Sequence, residues 1–202
     1  MTVTISRLYD SYAQGQRAVT ELEAAGIAHP DISIVANNAD YTSTTKVDRD
    51  GDGVDDRAEA AGTGAGIGAG VGGTVGLLTG LGLLAIPGVG PVVAAGWLAA
   101  TAAGAAAGAA GGGIIGGLTQ AGVSNDDAGV YAEGIRRGGT LVSARVADAD
   151  RARYEAILDR SSVNIQDRGA AYRKGGWSKF DPASKPYNHD DIAKERKLYA
   201  MR

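Results

Sequence analysis

Apolar and polar positions alternate at the start of the chain in a pattern typical of a strand–helix–strand unit. Residues 2–8, TVTISRL, alternate in polarity and are rich in β-branched side chains, and they predict a strand. Asp10 or Ser11 can then cap a helix that runs through about Ala25. The apolar run at 31–38, DISIVANN, predicts a second strand.

The same periodicity returns after a long apolar interior. Ser124 with Asp127 three residues later resembles a capping box, and Gly138 with Gly139 marks the end of the helix that would start there. The predicted elements of this second half are a helix through Ile135, a strand at 140–146, a helix at 147–160 capped by Asp148, and a short strand at 162–166.

These elements predict an α+β fold. Residues 1–39 and 122–167 together follow the order of a ferredoxin-like sandwich that is interrupted in the middle. The chain therefore divides into this split domain, an acidic loop at 40–59, an apolar glycine-rich segment at 60–121 and a basic, aromatic C-terminal tail at 168–202.

The interior segment is unusually rich in glycine. The chain has 32 glycines, and 20 of them lie between Ala60 and Leu118, where no charged residue occurs. Many are spaced four apart: Gly64, Gly68, Gly72, Gly76 and Gly80 before the turn IPGVGP at 86–91, then Gly96, Gly104, Gly108, Gly112 and Gly116, with Ala100 in the same series. Positions four apart share one face of a helix, and such small-residue faces let two helix backbones approach closely.

The spacing therefore predicts an antiparallel helical hairpin, a glycine zipper, that associates with itself or with other copies. A flexible glycine-rich linker is the alternative, and the regular spacing argues against it. Each arm, about 26 residues or ~39 Å long as a helix, is long enough to cross a bilayer. Its Ala and Gly content, with no flanking Lys/Arg cluster, makes insertion marginal, so membrane association and burial within a homo-oligomer both stay open.

The acidic segment DRDGDGVDDRAE at 48–59 matches an EF-hand or thrombospondin type 3 calcium loop. Such a loop takes oxygen ligands from alternate positions, with a central glycine for the turn and a final bidentate glutamate. The matching ligands are Asp48, Asp50, Asp52, the Val54 carbonyl, Asp56 and Glu59, with Gly53 at the turn. The preceding NADYTSTTKV does not predict an entering helix, so weak Ca²⁺ binding is expected. Alternatively, the carboxylates cap the helix that follows.

The tail carries a charge opposite to that of the body. Residues 168–202 hold nine Lys/Arg and four Asp/Glu, net +5, whereas the preceding residues are net −8. Aromatic side chains lie between the basic ones, at Tyr172, Trp177, Phe180 and Tyr187. Stacking on nucleic-acid bases is one use of such a pattern, but no recognition motif accompanies it. Docking of these aromatics on the chain's own domain, or on another copy, is the favoured interpretation, and no nucleic-acid partner is expected.

The stretches on either side of the interior segment resemble the general stress protein 17M-like domain family. They are GIAHPDISIVANN before it and AGVSNDDAGVYAEGIRRGGTLVSARVADADRARYEAILD after it. The resemblance covers about residues 1–167 and includes a glycine-rich apolar segment between two halves. It implies a stress-associated, non-enzymatic protein.

No residue pattern points to catalysis. The chain has no cysteine, its two histidines have no partner at ligand or triad spacing, and neither GxxxxGK nor GxSxG occurs. The N-terminus does not read as a secretory signal, so a cytoplasmic or cytoplasmic-membrane location is expected. Two hypotheses follow: a self-assembling, membrane-associated structural protein that binds Ca²⁺, or a soluble calcium-responsive module or scaffold whose hairpin is buried between copies.

Overall fold

The computed structural model describes residues 1–38, 82–106 and 113–200. In that part of the chain the strands are β1 (Thr2–Tyr9), β2 (Ile32–Asn37), β3 (Gly82–Ile86), β4 (Gly90–Gly96) and β5 (Thr140–Ala147). The helices are α1 (Tyr12–Ala24), α2 (Trp97–Ala106), α3 (Gly113–Gln120), α4 (Asn125–Arg136), α5 (Arg151–Leu158), α6 (Ile165–Lys174) and α7 (His189–Ala200). Single 3₁₀ turns at His29–Asp31 and Asp148–Asp150 precede β2 and α5.

The strands form one antiparallel sheet in the order β1-β5-β2-β4-β3, which confirms the predicted α+β class. β5 lies between β1 and β2, with Thr2 opposite Ala147 on one side and Ile34 opposite Val142 on the other. β1 and β2 are therefore joined by α1 but do not pair with each other. β4 pairs with the other edge of β2, and β3 follows it.

The predicted N-terminal unit is confirmed in its details. Ser11 caps α1: its hydroxyl accepts a hydrogen bond from the Gln14 amide, and the Gln14 side chain accepts one from the Ser11 amide. This reciprocal capping box satisfies two amides that the first turn would otherwise leave without a partner. Gly26, at φ +101°, follows the last turn in the left-handed conformation that ends many helices.

Helices cover both faces of the sheet because successive residues of each strand point to opposite sides. On one face, α1 and α5 bury Val19, Leu22 and Leu158 against Ile5 and Val142, among others. On the other face, α2, α3 and α4 pack on the opposite side chains of the same strands. The apolar members of this second core include Leu98, Leu118 and Ile135 from the helices and Leu8, Val35, Val92 and Leu141 from the sheet.

Residues 82–96 differ from the sequence prediction, which placed them in the helical hairpin. They form a β-hairpin, β3 and β4, in which Leu84 lies opposite Val92 and Ile86 opposite Gly90. Gly88 and Gly90, at φ +75° and +100°, make the turn. The helical prediction is wrong here because an uninterrupted apolar run fits a buried strand as well as a helix, and the β-branched valines of β4 favour the strand.

The second half of the domain follows the prediction until its end. Ser124 caps α4 by accepting a hydrogen bond from the Asp127 amide, and the strand at 140–146 forms as β5. The predicted cap by Asp148 is wrong, since Asp148 opens a 3₁₀ turn and the N-cap position of α5 is Asp150.

The predicted strand at 162–166 is reduced to a single bridge between Val163 and Leu8. The Asn164 side chain accepts hydrogen bonds from the amides of Gln166 and Asp167, so the chain turns directly into helix α6. This helix crosses the predicted start of the tail at residue 168. The tail is therefore continuous with the folded domain.

Candidate interaction site at the C-terminal tail

The C-terminal end of α4 is the place where the domain and the tail meet. Here Glu133 lies in the last turn with only 1 % of its side chain exposed. A buried carboxylate is costly unless it is paired and hydrogen-bonded. Both of its oxygens are engaged: Arg136 donates from Nη2 at 2.5 Å and from Nε at 2.9 Å, and Arg137 donates from Nε at 2.6 Å. The helix end is thus fixed around one buried charge.

Arg137 extends this cluster to the tail. Its Nη1 donates to Glu195 of α7 at 2.5 Å, and Nη2 of the adjacent Arg196 donates to the Gly138 carbonyl at 2.8 Å. Burial lowers the pKa of Arg137, but hydrogen bonds to Glu195 and Glu133 outweigh that effect, and the pKa lies above its ordinary value. Two carboxylates from distant parts of the chain therefore share one guanidinium.

Two tyrosine rings of the tail contact the same arginines. The guanidinium carbon of Arg137 lies 4.3 Å from the ring centroid of Tyr172 and 5.5 Å from that of Tyr187. Arg136 lies 4.5 Å from the Tyr187 ring, and its Nη1 donates to the carbonyl of Lys185 at 3.1 Å. Contacts of this type between a cation and an aromatic face are attractive and are stronger away from water.

The tail packs against three glycines with positive φ. Its atoms occupy the space that a side chain would take at these positions. The glycines are Gly88 and Gly90 in the β3–β4 turn and Gly138 after α4. A Cβ on Gly88 would lie 2.6 Å from Cα of Pro182, and one on Gly90 would lie 2.6 Å from Cβ of Pro186. The Ile192 side chain, 2 % exposed, occupies the equivalent space at Gly138. These glycines leave room for the tail to lie directly on the domain backbone.

The four aromatic residues predicted for tail docking all lie in or beside this site. Tyr172 is 1 % exposed in α6 and packs edge-on against Trp177, with ring centroids 5.9 Å apart. Phe180 packs against the core that α4 forms with the sheet, and Tyr187 contacts both arginines. In the structure, these side chains contact their own domain.

The predicted glycine series is only partly within the described residues. Gly64, Gly68, Gly72, Gly76, Gly80, Gly108 and Gly112 lie outside them, and Gly104 and Gly116 lie in α2 and α3. Gly96 ends β4 rather than lying on a helix, because at φ +84° its backbone passes so close to the Ile32 carbonyl that no side chain fits. Gly117 of α3 lies beside Leu98 and Thr101 of α2.

The predicted calcium ligands, Asp48, Asp50, Asp52, Val54, Asp56 and Glu59, also lie outside the described residues. Among residues 1–38, 82–106 and 113–200, no three His, Asp or Glu side chains converge as a metal-ligand set. Within the same ranges no helix combines the length and the apolar character needed to cross a bilayer.

Sequence reasoning did not identify Glu133, Arg137 and Glu195 as parts of the site. Glu133 and Arg137 are four apart on α4, a spacing that signals a surface ion pair. Nothing in the sequence indicates that the tail would bury this pair and add Glu195 from a position 58 residues further along. The combined arrangement is suited to binding a peptide segment by charge, aromatic and backbone contacts.

Fold and site together define an α+β domain with a self-docked, basic and aromatic tail. No known protein family, no curated protein and no solved structure matches the chain.

Proposed function

We propose that this protein is a non-catalytic interaction protein that self-assembles through its glycine-repeat segment and binds Ca²⁺ through its acidic loop. The observation that carries the proposal is the place of these two features along the chain, between two neighbouring strands in sequence. The acidic loop and the first glycine series both fall within 38–81, the single connection between β2 and β3. One insertion into the sheet therefore bears both features.

The register of the sheet fixes where this connection begins and where it ends. Val92 of β4 lies opposite Asn37 and Leu84, and Ala94 lies opposite Val35 and Gly82. β2 and β3 therefore run in the same direction on either side of β4. The chain leaves at one end of the sheet and returns at the other, so the domain holds both ends of the insertion in place.

The finer fold proposed here is a ferredoxin-like core with additions. β1, α1 and β2 around β5, followed by α5, reproduce the order of that fold, and Val163 bridges to β1 where its last strand would pair. The β3–β4 hairpin and the helices on the second face are additions to it. A stress-associated role follows from the sequence resemblance to the 17M-like stress domain and is part of the same proposal.

Sedimentation velocity of the full chain, with Ca²⁺ or with a chelator, tests the assembly. Detergent-free cell fractionation alongside it tests membrane association. A large particle in the soluble fraction supports burial of the apolar segments between copies. Recovery in a membrane pellet that resists high salt places them in lipid. A monomer under every condition contradicts the proposal.

The Ca²⁺ site is tested separately by isothermal titration calorimetry. A single unpaired loop should bind Ca²⁺ with a Kd of about 10⁻⁴–10⁻³ M. We expect the double variant Asp52→Asn/Glu59→Gln to lose this binding, because it removes two of the proposed ligands. Asp148→Asn/Asp150→Asn removes the same charge from an exposed 3₁₀ turn and is the matched control. Equal binding by both variants would show that the acidic loop is not the site.

A further inference from the structure

The two edges of the sheet differ in how their outer backbone groups are satisfied. β1 forms one edge and β3 the other. At the β1 edge, the Leu8 carbonyl accepts a hydrogen bond from the Val163 amide at 2.7 Å. The Ser6 carbonyl accepts one from the Tyr131 hydroxyl at 2.8 Å and one from Nη1 of Arg7 at 2.9 Å. Groups of the protein itself therefore occupy the outer carbonyls in the second half of β1.

The β3 edge has no such protection from the residues that the structure describes. The strand Gly82–Ile86 reads GLLAI and holds no charge. Ala85 is exposed, and among the described residues a Cβ on Gly82 would meet only the Ala94 carbonyl, at 4.0 Å. Edge strands of soluble proteins usually carry charges, prolines or bulges, because an open row of amides and carbonyls pairs readily with another strand. Since β3 carries none of these, it is suited to pairing.

The register of the β3–β4 hairpin shows which groups of β3 point outward. Ala85 lies opposite Pro91, which has no amide hydrogen, so these two residues do not form a hydrogen-bonded pair. The two kinds of pair alternate along an antiparallel ladder, so Leu84 bonds to Val92 within the hairpin. Leu83 and Ala85 therefore direct their amides and carbonyls away from β4. These groups form no hydrogen bond with any other part of the described chain.

We propose that β3 pairs with β3 of a second copy of this chain, antiparallel and about a twofold axis at Leu84. In this register Leu83 lies opposite Ala85 of the second copy, and each such pair exchanges two N–H···O=C bonds. All the outward backbone groups of both residues are then satisfied. A twofold contact requires only that the strand be complementary to itself. The uncharged sequence of β3 also sets up no repulsion between the copies.

This inference rests on the proposed self-assembly and names one contact through which it occurs. Gly82, where the insertion rejoins the sheet, lies opposite Ile86 of the second copy in this register. At about 3.4 Å per residue, the two Gly82 positions are then about 14 Å apart. Edge pairing therefore brings the insertions of two copies close together, where their glycine series can associate.

Cysteine trapping in the full chain tests the register, because the chain has no cysteine of its own. Leu84→Cys places the two sulfurs at directly opposed positions, where Cβ atoms lie about 4.5–5.5 Å apart. The control Ala85→Cys places them diagonally, with Cβ atoms about 7 Å apart. Because a disulfide needs a Cβ separation near 4 Å, mild oxidation should yield about tenfold more covalent dimer from Leu84→Cys than from Ala85→Cys.

A pair of proline variants tests the edge without cysteine. Ala85→Pro removes one outward amide of β3, and proline is tolerated on an edge strand where the amide points away from the sheet. Thr4→Pro is the matched control, since Thr4 lies two residues before Ser6 on the outward side of β1. Sedimentation velocity should show a smaller particle for Ala85→Pro and an unchanged one for Thr4→Pro. The same prolines added to Leu84→Cys should respectively abolish and retain the crosslink.

The outcomes separate this pairing from assembly through the glycine series. A large particle that Leu84→Cys does not crosslink overturns the edge pairing and leaves the glycine assembly standing. A crosslinked dimer whose mass Gly72→Leu does not change supports the edge pairing and contradicts the glycine assembly. Equal crosslinking by the two cysteine variants, or equal effects of the two prolines, overturns the edge pairing.

Discussion

At the scale of single residues, Glu133 has the most demanding environment among the described side chains. It is almost fully buried, and its charge is matched by Arg136 and Arg137. Removal of one member of a buried ion pair leaves the others desolvated without a partner. We therefore expect Glu133→Gln to lower the free energy of unfolding by about 3 kcal/mol, as measured by urea denaturation.

The matched control for this variant is Glu155→Gln. Glu155 also contacts two arginines, Arg151 at 3.1 Å and Arg7 at 3.6 Å, but it is 25 % exposed. Solvent screens such a pair, so Glu155→Gln should lower the free energy of unfolding by less than about 1 kcal/mol. If the two variants lost equal stability, burial of Glu133 would not be the cause.

Tyr131 should make the free energy of unfolding depend on pH in the alkaline range. Burial raises the pKa of its hydroxyl to about 12, and the hydroxyl donates to the Ser6 carbonyl at 2.8 Å. Above an ordinary tyrosine pKa of about 10, the unfolded chain loses this proton while the folded chain retains it. The free energy of unfolding should therefore decrease as pH rises from about 10 to about 12.

Urea denaturation across this alkaline range measures the effect. The Tyr131→Phe variant should show a shallower decrease than the wild type, although Tyr9, whose pKa burial also raises, still contributes a slope. An unchanged slope in the variant would contradict the assignment to Tyr131.

At the scale of elements, the tail packs against the glycines of the β3–β4 turn. Gly90→Ala and Gly26→Ala place alanine at nearly the same backbone angle, φ +100° and +101°. Each should cost about 1–2 kcal/mol from the left-handed conformation alone. A Cβ on Gly26 meets nothing within 4 Å, whereas one on Gly90 meets Pro186. Only Gly90→Ala should speed amide exchange over residues 182–192, and equal exchange in both variants would contradict this contact.

The elements that could be predicted from the sequence are those with a local signal at each end. Asp10 or Ser11 was predicted to start α1, and Ser124 and Gly138 were predicted to bound α4. The β3–β4 hairpin could not be predicted, because its apolar run has no polar positions to reveal a period of two. Docking by Tyr172 and Tyr187 was predicted from their place among basic residues. Their partners, Arg136 and Arg137, required knowledge of which distant segments meet.

At the scale of the whole molecule, substitutions in the glycine series test whether copies of the chain assemble through it. Gly72→Leu adds a large side chain to the face that the four-residue spacing defines, and it should reduce the sedimenting mass. Gly70→Leu adds the same side chain two positions away, off that face in a helix, and should reduce the mass less. Equal effects would remove the argument from spacing, whereas a loss specific to Gly72 would locate the contact on that face.

The position of β5 has a consequence for the order of events during synthesis. β1 and β2 emerge first from the ribosome, yet the sheet joins them only through β5, whose residues follow some hundred positions later. Thr2 cannot meet its partner until Ala147 has been made. β1 must therefore wait without a partner strand, while β2 can pair only with β4, and this incomplete sheet favours aggregation. A ribosome-bound chain ending before residue 140 should stay protease-sensitive over β1, Thr2–Tyr9.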